Sequence, residues 1–297
     1  MVDKILYQEK SMSGIILMCA AVFCFTLIDS SAKWLAAAGF LSLQVTFVRY
    51  LGHFCSSIII FWPQEKNKIF NSKRPYLQIV RAVILMVGTF FNFLALKYLS
   101  LNITVAIFFA APLVVSILSI PILGEKVPLK NFLAVLVGFL GVLVIIQPGR
   151  VGFQFEMLYS LIALFSASMY FILTRIVAKV DVNSVSQIYS SGIPTLILLP
   201  FALYYWVWPT NYFEILAMAV MGLAATSGHS FTTVAHSWAK ASTLAPVIYV
   251  QLIFMTAISW LVFDHLPKSN TILGTMVIIL TGLYLLRLEK RSTIDLN

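Results

Sequence analysis

The stretch FTLIDSSAKWL, residues 25–35, sets Asp29 and Lys33 one helical turn apart among apolar residues. A second apolar run carries Arg49 and, one turn on, His53; a third carries Arg81. A carboxylate in such surroundings can pair with a cation, hold a cationic solute or carry a proton. A guanidinium grips carboxylates in a two-pronged fork. At mid-bilayer a charge costs at least about 2.5–3.5 kcal/mol, so each of these groups must be paired or must face water. Uncharged polar groups also stand in the apolar runs: Asn92 in the third, and Tyr170, Trp238, Tyr249 and Gln251 further on.

The elements that must position these groups follow from composition. Of the 297 residues, 60% are hydrophobic and 10% charged, and mean hydropathy is +0.94. Soluble domains average about 45–50% apolar and about 25% charged, so the bilayer is the natural solvent for this chain. Scanning for apolar runs of about 20 residues predicts ten helices. They cover 14–38, 41–62, 76–96, 101–123, 129–147, 153–177, 185–206, 212–236, 242–263 and 270–288. Charges at Asp29 and Lys33 interrupt the first run, which reads as a retained helix and not as a cleaved leader. Three cysteines in apolar runs, without a CxxC, exclude a disulfide framework and a zinc ribbon.

With the N-terminus placed in the cytoplasm, 14 of the 20 Lys and Arg fall on the cytoplasmic side and 4 outside, Arg49 and Arg81 lying within helices. This asymmetry predicts an N-in, C-in topology. A net charge of +9 distributed this way writes topology and calls for no nucleic acid.

Depth then relates the first two charges. Asp29 lies ten residues before Gly39 and Arg49 ten after it. At about 1.5 Å per residue both sit roughly 15 Å from that hairpin turn, near the middle of a core about 30 Å thick. They are expected to face one another, either as a structural pair or on a wet cavity. Arg49 and Lys33 are both available as cationic partners for Asp29, which speaks against Asp29 as a simple proton carrier. Arg49, His53 and Arg81 form a polar track whose positive sign suits a carboxylate-bearing or zwitterionic solute. Plainer roles stay open: Arg81 snorkelling to headgroups, His53 as a hydrogen-bonded packing residue, the amides as glue between helices, the aromatics as interfacial belts. His229 and His236, seven residues apart, stand about 10 Å apart along a helix. That is too far for joint chelation, so no metal site is expected. No catalytic residue and no cofactor is expected either.

Residues 101–128 and 240–267 repeat a pattern of apolar helix, acid, spacer and Pro, with Glu125 and Asp264 offset by 139. The same offset carries Pro112 onto Gln251, which makes Gln251 the better candidate among the amides. Two five-helix halves are therefore expected, 1–148 and 149–297, joined near Pro148-Gly149. Because five is odd, the second half must enter the membrane inverted, as in secondary transporters with a midplane site. The fold class predicted is an all-α membrane protein of ten transmembrane helices in two inverted repeats.

The stretch ALKYLSLNITVAIFFAAPLVVSILSIPILGEKV (95–127) resembles the AL-x-Y, Pro-helix and LGE pattern of the drug/metabolite transporter superfamily, EamA type. GFLGVLVIIQPG (138–149) and FTLIDSSAKWL fit the same pattern. The second half departs from it, with Phe-Asp-His where GE is usual. The resemblance implies ten helices in two inverted halves, a prokaryotic inner membrane and transport of small organic metabolites. Members with this Asp-x-x-x-Lys first helix are associated with uptake of solutes such as S-adenosylmethionine; others export amino acids or related metabolites.

The expected function is a secondary transporter working by alternating access on a small polar metabolite, amino-acid-like or S-adenosylmethionine-like, with a coupling ion or counter-substrate as partner. Export of amino acids or other metabolites is the alternative. GxxxxGK[ST] is absent, so no nucleotide-driven step is expected. An intramembrane enzyme would need paired acids or a GxSxG elbow. AATSGHS (224–230) brings Ser and His together without an acid. A receptor or scaffold would need longer loops.

Overall fold

The computed structural model describes residues 11–99, 104, 107–146, 154–263 and 269–294. Ten helices account for most of them: α1 (Ser11–Ala37), α2 (Ser42–Glu65), α3 (Pro75–Tyr98), α4 (Ala111–Leu123), α5 (Leu129–Ile146), α6 (Met157–Val177), α7 (Asn183–Tyr204), α8 (Tyr212–Trp238), α9 (Val250–Phe263) and α10 (Ser269–Ile294). A 3-10 turn, Lys66–Phe70, leads from α2 towards α3. Among the described residues no strand occurs. Helix is the economical choice for so apolar a chain, because it satisfies each backbone N–H and C=O within its own segment.

Local chemistry sets the ends. Pro75 and Pro112 sit in the first turns of α3 and α4, where a missing N–H costs nothing. Asn211 accepts from Glu214 N–H at 3.1 Å, and the Glu214 carboxylate reaches back to Thr210 N–H at 2.6 Å, a capping box that starts α8. Gly124, at φ +66°, closes α4 in a left-handed turn that L-residues with a Cβ rarely adopt. The hairpin between α1 and α2 turns at Gly39.

Among the described residues seven segments are long and apolar enough to cross a bilayer: Ser11–Ala37, Ser42–Phe70, Pro75–Ala95, Met157–Val177, Asn183–Tyr204, Tyr212–Trp238 and Ala241–Ile258. Ala111–Leu123, Leu129–Val144 and Ile272–Tyr284 are shorter apolar helices. The run expected as one rod over 242–263 is broken into a turn (Ala241–Leu244), a 3-10 segment (Ala245–Tyr249) and α9. Pro246 explains the break: it has no N–H to give, and its ring crowds the preceding turn. Pro194 and Pro121, by contrast, stay inside α7 and α4. The start of the fourth expected span, the Pro148-Gly149 junction and the loop from Asp264 to Pro267 lie outside the described residues.

Packing pairs the helices across the chain. α1 lies on α8, α3 on α6, α2 on α7 and on α8, α3 on α7, and α5 on α10. α4 lies on α6, and α9 on α1. Advancing every helix number by five carries each of these pairings onto another or onto itself. At the α2–α8 crossing the backbones nearly touch: a Cβ on Gly52 would come within 2.8 Å of Gly222 Cα. Two packing groups result, one of α3, α4 and α6, the other of α1, α8 and α9, with α2 and α7 between them. Outward faces carry exposed Ile59, Leu133, Leu196, Leu203 and Leu280, as a lipid-facing surface would.

Candidate functional site

Between the two packing groups lies a cavity of about 220 Å³. Its walls carry Asp29 and Lys33 from α1, Arg49 from α2, Thr89 and Asn92 from α3, Tyr170 from α6, His229 from α8 and Gln251 from α9. Phe25, Phe93, Phe108, Phe109, Phe171 and Met255 supply most of the apolar lining. Lys33 and Phe93 also line a second cavity of about 610 Å³ at the hairpin end of the bundle, beside Gly39, Ser42 and Lys97. The two cavities thus meet at these two side chains.

Asp29 is half-buried, and its Oδ2 accepts from Gln251 Nε2 at 2.8 Å. Gln251 can present its amide there because α9 starts afresh after Pro246 and packs along α1. Arg49 is buried, and its guanidinium is engaged elsewhere. Nη1 donates to Thr89 Oγ1, and Nη2 lies 2.9 Å from His229 Nε2. Among the described residues Arg49 Nε is buried without an acceptor. The expected facing of Asp29 and Arg49 thus takes the form of two walls of one cavity. No ion pair joins them among the described residues, because Gln251 takes the carboxylate while Thr89 and His229 take the guanidinium.

Arginine carries only donors, so His229 Nε2 must accept, which leaves the ring hydrogen on Nδ1. That hydrogen points at Tyr170 Oη, 2.9 Å away. Tyr170 Oη also accepts from Arg81 Nη2 at 3.0 Å. With two donors converging on it, the Tyr170 hydroxyl keeps its own hydrogen for an acceptor in the cavity it lines.

Arg81 stands behind that wall, fully buried. Its Nε donates to Thr174 Oγ1 at 2.8 Å and its Nη1 to Ser190 Oγ at 2.7 Å and Gln78 Oε1 at 3.2 Å. Its guanidinium lies over the Tyr170 ring, 4.7 Å from the centroid. It does not snorkel to a headgroup; hydroxyls and amides from α3, α6, α7 and α8 enclose it. Its route to an acid runs through Gln78, whose Nε2 donates to Asp181 at 2.9 Å.

Other expected site residues stand apart from the cavity lining. His53 is buried, with Nε2 3.1 Å from Gln187 Oε1, and its ring stacks on His229 at 5.3 Å. It extends the polar track one layer behind the wall. Tyr249 donates to Val135 C=O at 3.1 Å, and its ring fills the space above Gly138, so it joins the 3-10 segment to α5. Trp238 ends α8 far from the hairpin end. Asn92 and Tyr170 do line the cavity. The sequence offers His229 as half of a metal pair with His236 and as the His of AATSGHS, and it does not single out Thr89; both hold Arg49. Their signal in the sequence was weak, a lone Thr and a His in apolar runs.

A model of the EamA-like transporter family matches residues 12–147 and again 154–288. A Rickettsia prowazekii protein named S-adenosylmethionine uptake transporter is 28% identical over 254 residues, 84% of this chain and 85% of its own length. A Vibrio cholerae protein named riboflavin transporter is 23% identical over 96% of this chain and 97% of its own. The pseudopaline exporter of Pseudomonas aeruginosa is 24% identical over 94% and 97%. A protein of known crystal structure superposes with a TM-score of 0.76 at 18% identity, covering 94% of this chain and 99% of its own, a likeness of fold alone.

Proposed function

We propose a transport cycle and a solute class for this chain, which belongs to the EamA-like transporter family, a family of transporters and not of enzymes. The chain carries a small zwitterionic metabolite across the bacterial inner membrane by alternating access. Ten spans, N-in and C-in, form two inverted halves. The five-step pairing of helices and the twofold family match support that reading. In this topology the end rich in Lys and Arg is cytoplasmic and the hairpin end is external.

One observation carries the solute class: a single cavity presents a carboxylate, Asp29, on one wall and an incompletely satisfied guanidinium, Arg49, on another. A buried donor without an acceptor is costly. A solute carboxylate at Arg49 Nε and the Tyr170 hydroxyl relieves that cost. Asp29, with phenylalanine rings nearby, suits an ammonium or sulfonium. The names of the Rickettsia relatives put S-adenosylmethionine first among candidates, and amino acids share its charged portion.

The test is uptake of labelled S-adenosylmethionine and amino acids into proteoliposomes. Saturable accumulation of a zwitterion, reduced by Asp29→Asn and by Arg49→Gln, is the expected result. Vesicles that move none of these solutes in either orientation would overturn the reading. Efflux from preloaded vesicles tells export, suggested by the Pseudomonas relative's name, from uptake.

A further inference from the structure

The motif LGE at 123–125 ends α4, and the structure gives each letter a task. Leu123 is the last helical residue, Gly124 turns the chain left-handed, and Glu125 N–H bonds back to Ser119 C=O at 3.2 Å. This turn aims the Glu125 side chain away from its own helix and into the other packing group. The carboxylate is buried there. Oε1 accepts from Ala241 N–H at 3.0 Å; Oε2 accepts from Ser242 N–H at 3.0 Å and from Ser242 Oγ at 2.6 Å. Arg175, at the end of α6, sets its Nε 3.8 Å from Glu125 Oε1 and donates from Nη1 to His236 C=O at 2.5 Å. Glu125 and Arg175 belong to the group of α3, α4 and α6. His236, Ala241 and Ser242 lie where α8 passes towards α9, in the other group. These bonds cross the boundary that the cavity follows, at the end opposite the α1–α2 hairpin.

We propose that Glu125, steadied by Arg175, is the lock that holds the cytoplasmic end shut while the cavity faces outward. The proposal rests on the transport reading for its purpose and not for its geometry. Opening this end requires the carboxylate to leave two backbone amides and a hydroxyl. Charge-assisted bonds to a buried carboxylate are strong, so the closed end is the resting arrangement. A second acid near this end provides the comparison. Asp181 accepts from Lys73 N–H at 2.8 Å and Ser72 Oγ at 2.5 Å, yet it joins the link after α6 to the start of α3, two members of one group. Its bonds need not break when the groups separate.

The experiment places spin labels at Lys126→Cys and Lys240→Cys, both exposed beside the lock, with Cys19, Cys24 and Cys55 replaced by alanine. Distances are read in lipid nanodiscs without any solute. Glu125→Ala is expected to add a longer-distance population and to raise the open-to-closed ratio at least about tenfold. Ser242→Ala should do so more weakly, and Asp181→Ala should leave the distribution unchanged. An unaltered distribution in well-folded Glu125→Ala overturns the lock, as does equal opening by Asp181→Ala. If Glu125→Ala does not fold, Ser242→Ala decides alone: opening supports the lock and no change overturns it. Because the readout needs no solute, it stands or falls apart from the uptake assay.

Discussion

Arg49 and Arg81 are the same side chain in two settings a few residues' width apart. Arg81 has neutral acceptors on all three nitrogens and Tyr170 beneath its plane. Arg49 lies beside the Tyr50 ring and gives its two terminal nitrogens to Thr89 and His229, but keeps Nε without an acceptor among the described residues, on a cavity wall. The first is a joint between four helices. The second is a socket. Burial alone does not mark a buried cation as a binding group; an unfinished set of hydrogen bonds on a cavity wall does.

The most direct way to break this comparison is to remove the joint. Arg81→Leu deletes several charge-assisted bonds at about 1.5 kcal/mol or more each, so a loss of at least about 3 kcal/mol is expected. Thermal unfolding in detergent should show a large fall in Tm. If Arg49→Leu proves the more destabilising of the two, the assignment is reversed. Next in size, Arg49→Gln should weaken solute binding at least about tenfold, about 1.4 kcal/mol, with a smaller change in Tm, measured by calorimetric titration. Asp29→Asn should lose a similar factor for zwitterions yet spare carboxylates that lack a cation, which sharpens the division of the cavity into two poles. The smallest effect is expected from Tyr249→Phe. It removes one bond to Val135 C=O, about 1 kcal/mol of stability, and should leave binding as it was.

Much of this was legible before any coordinates. Apolar runs located the helices, and counting ten residues either way from Gly39 brought Asp29 and Arg49 to one depth. What the count could not supply was the azimuth of their partners. Gln251 reaches Asp29 only because Pro246 breaks its segment and α9 restarts against α1. His229 reaches Arg49 because α8 packs tightly on α2, where a Cβ on Gly52 would meet Gly222 Cα at 2.8 Å. The shell of Arg81 did leave a trace, the stripe of Asn183, Ser186, Gln187 and Ser190 at helical spacing at the polar start of α7. Such a stripe says that a polar neighbour exists, not which one. The resemblance carried the family, but the LGE motif acquired a physical meaning only once Glu125 was seen on the amides of another segment.

The meeting of Gly52 with Gly222 has a mechanical consequence. Rods that touch backbone to backbone have no interlocking teeth at that point, so they resist sliding less through side chains than through their neighbours. Such a crossing is a fulcrum. Gly52 is ten residues from the start of α2, a lever arm of roughly 15 Å. A swivel of about 10° there displaces the helix tip by roughly 2.6 Å, close to the length of a hydrogen bond. Arg49, three residues before the pivot, and His53, the residue after it, both meet His229 and lie too close to the pivot to travel as far as the tip.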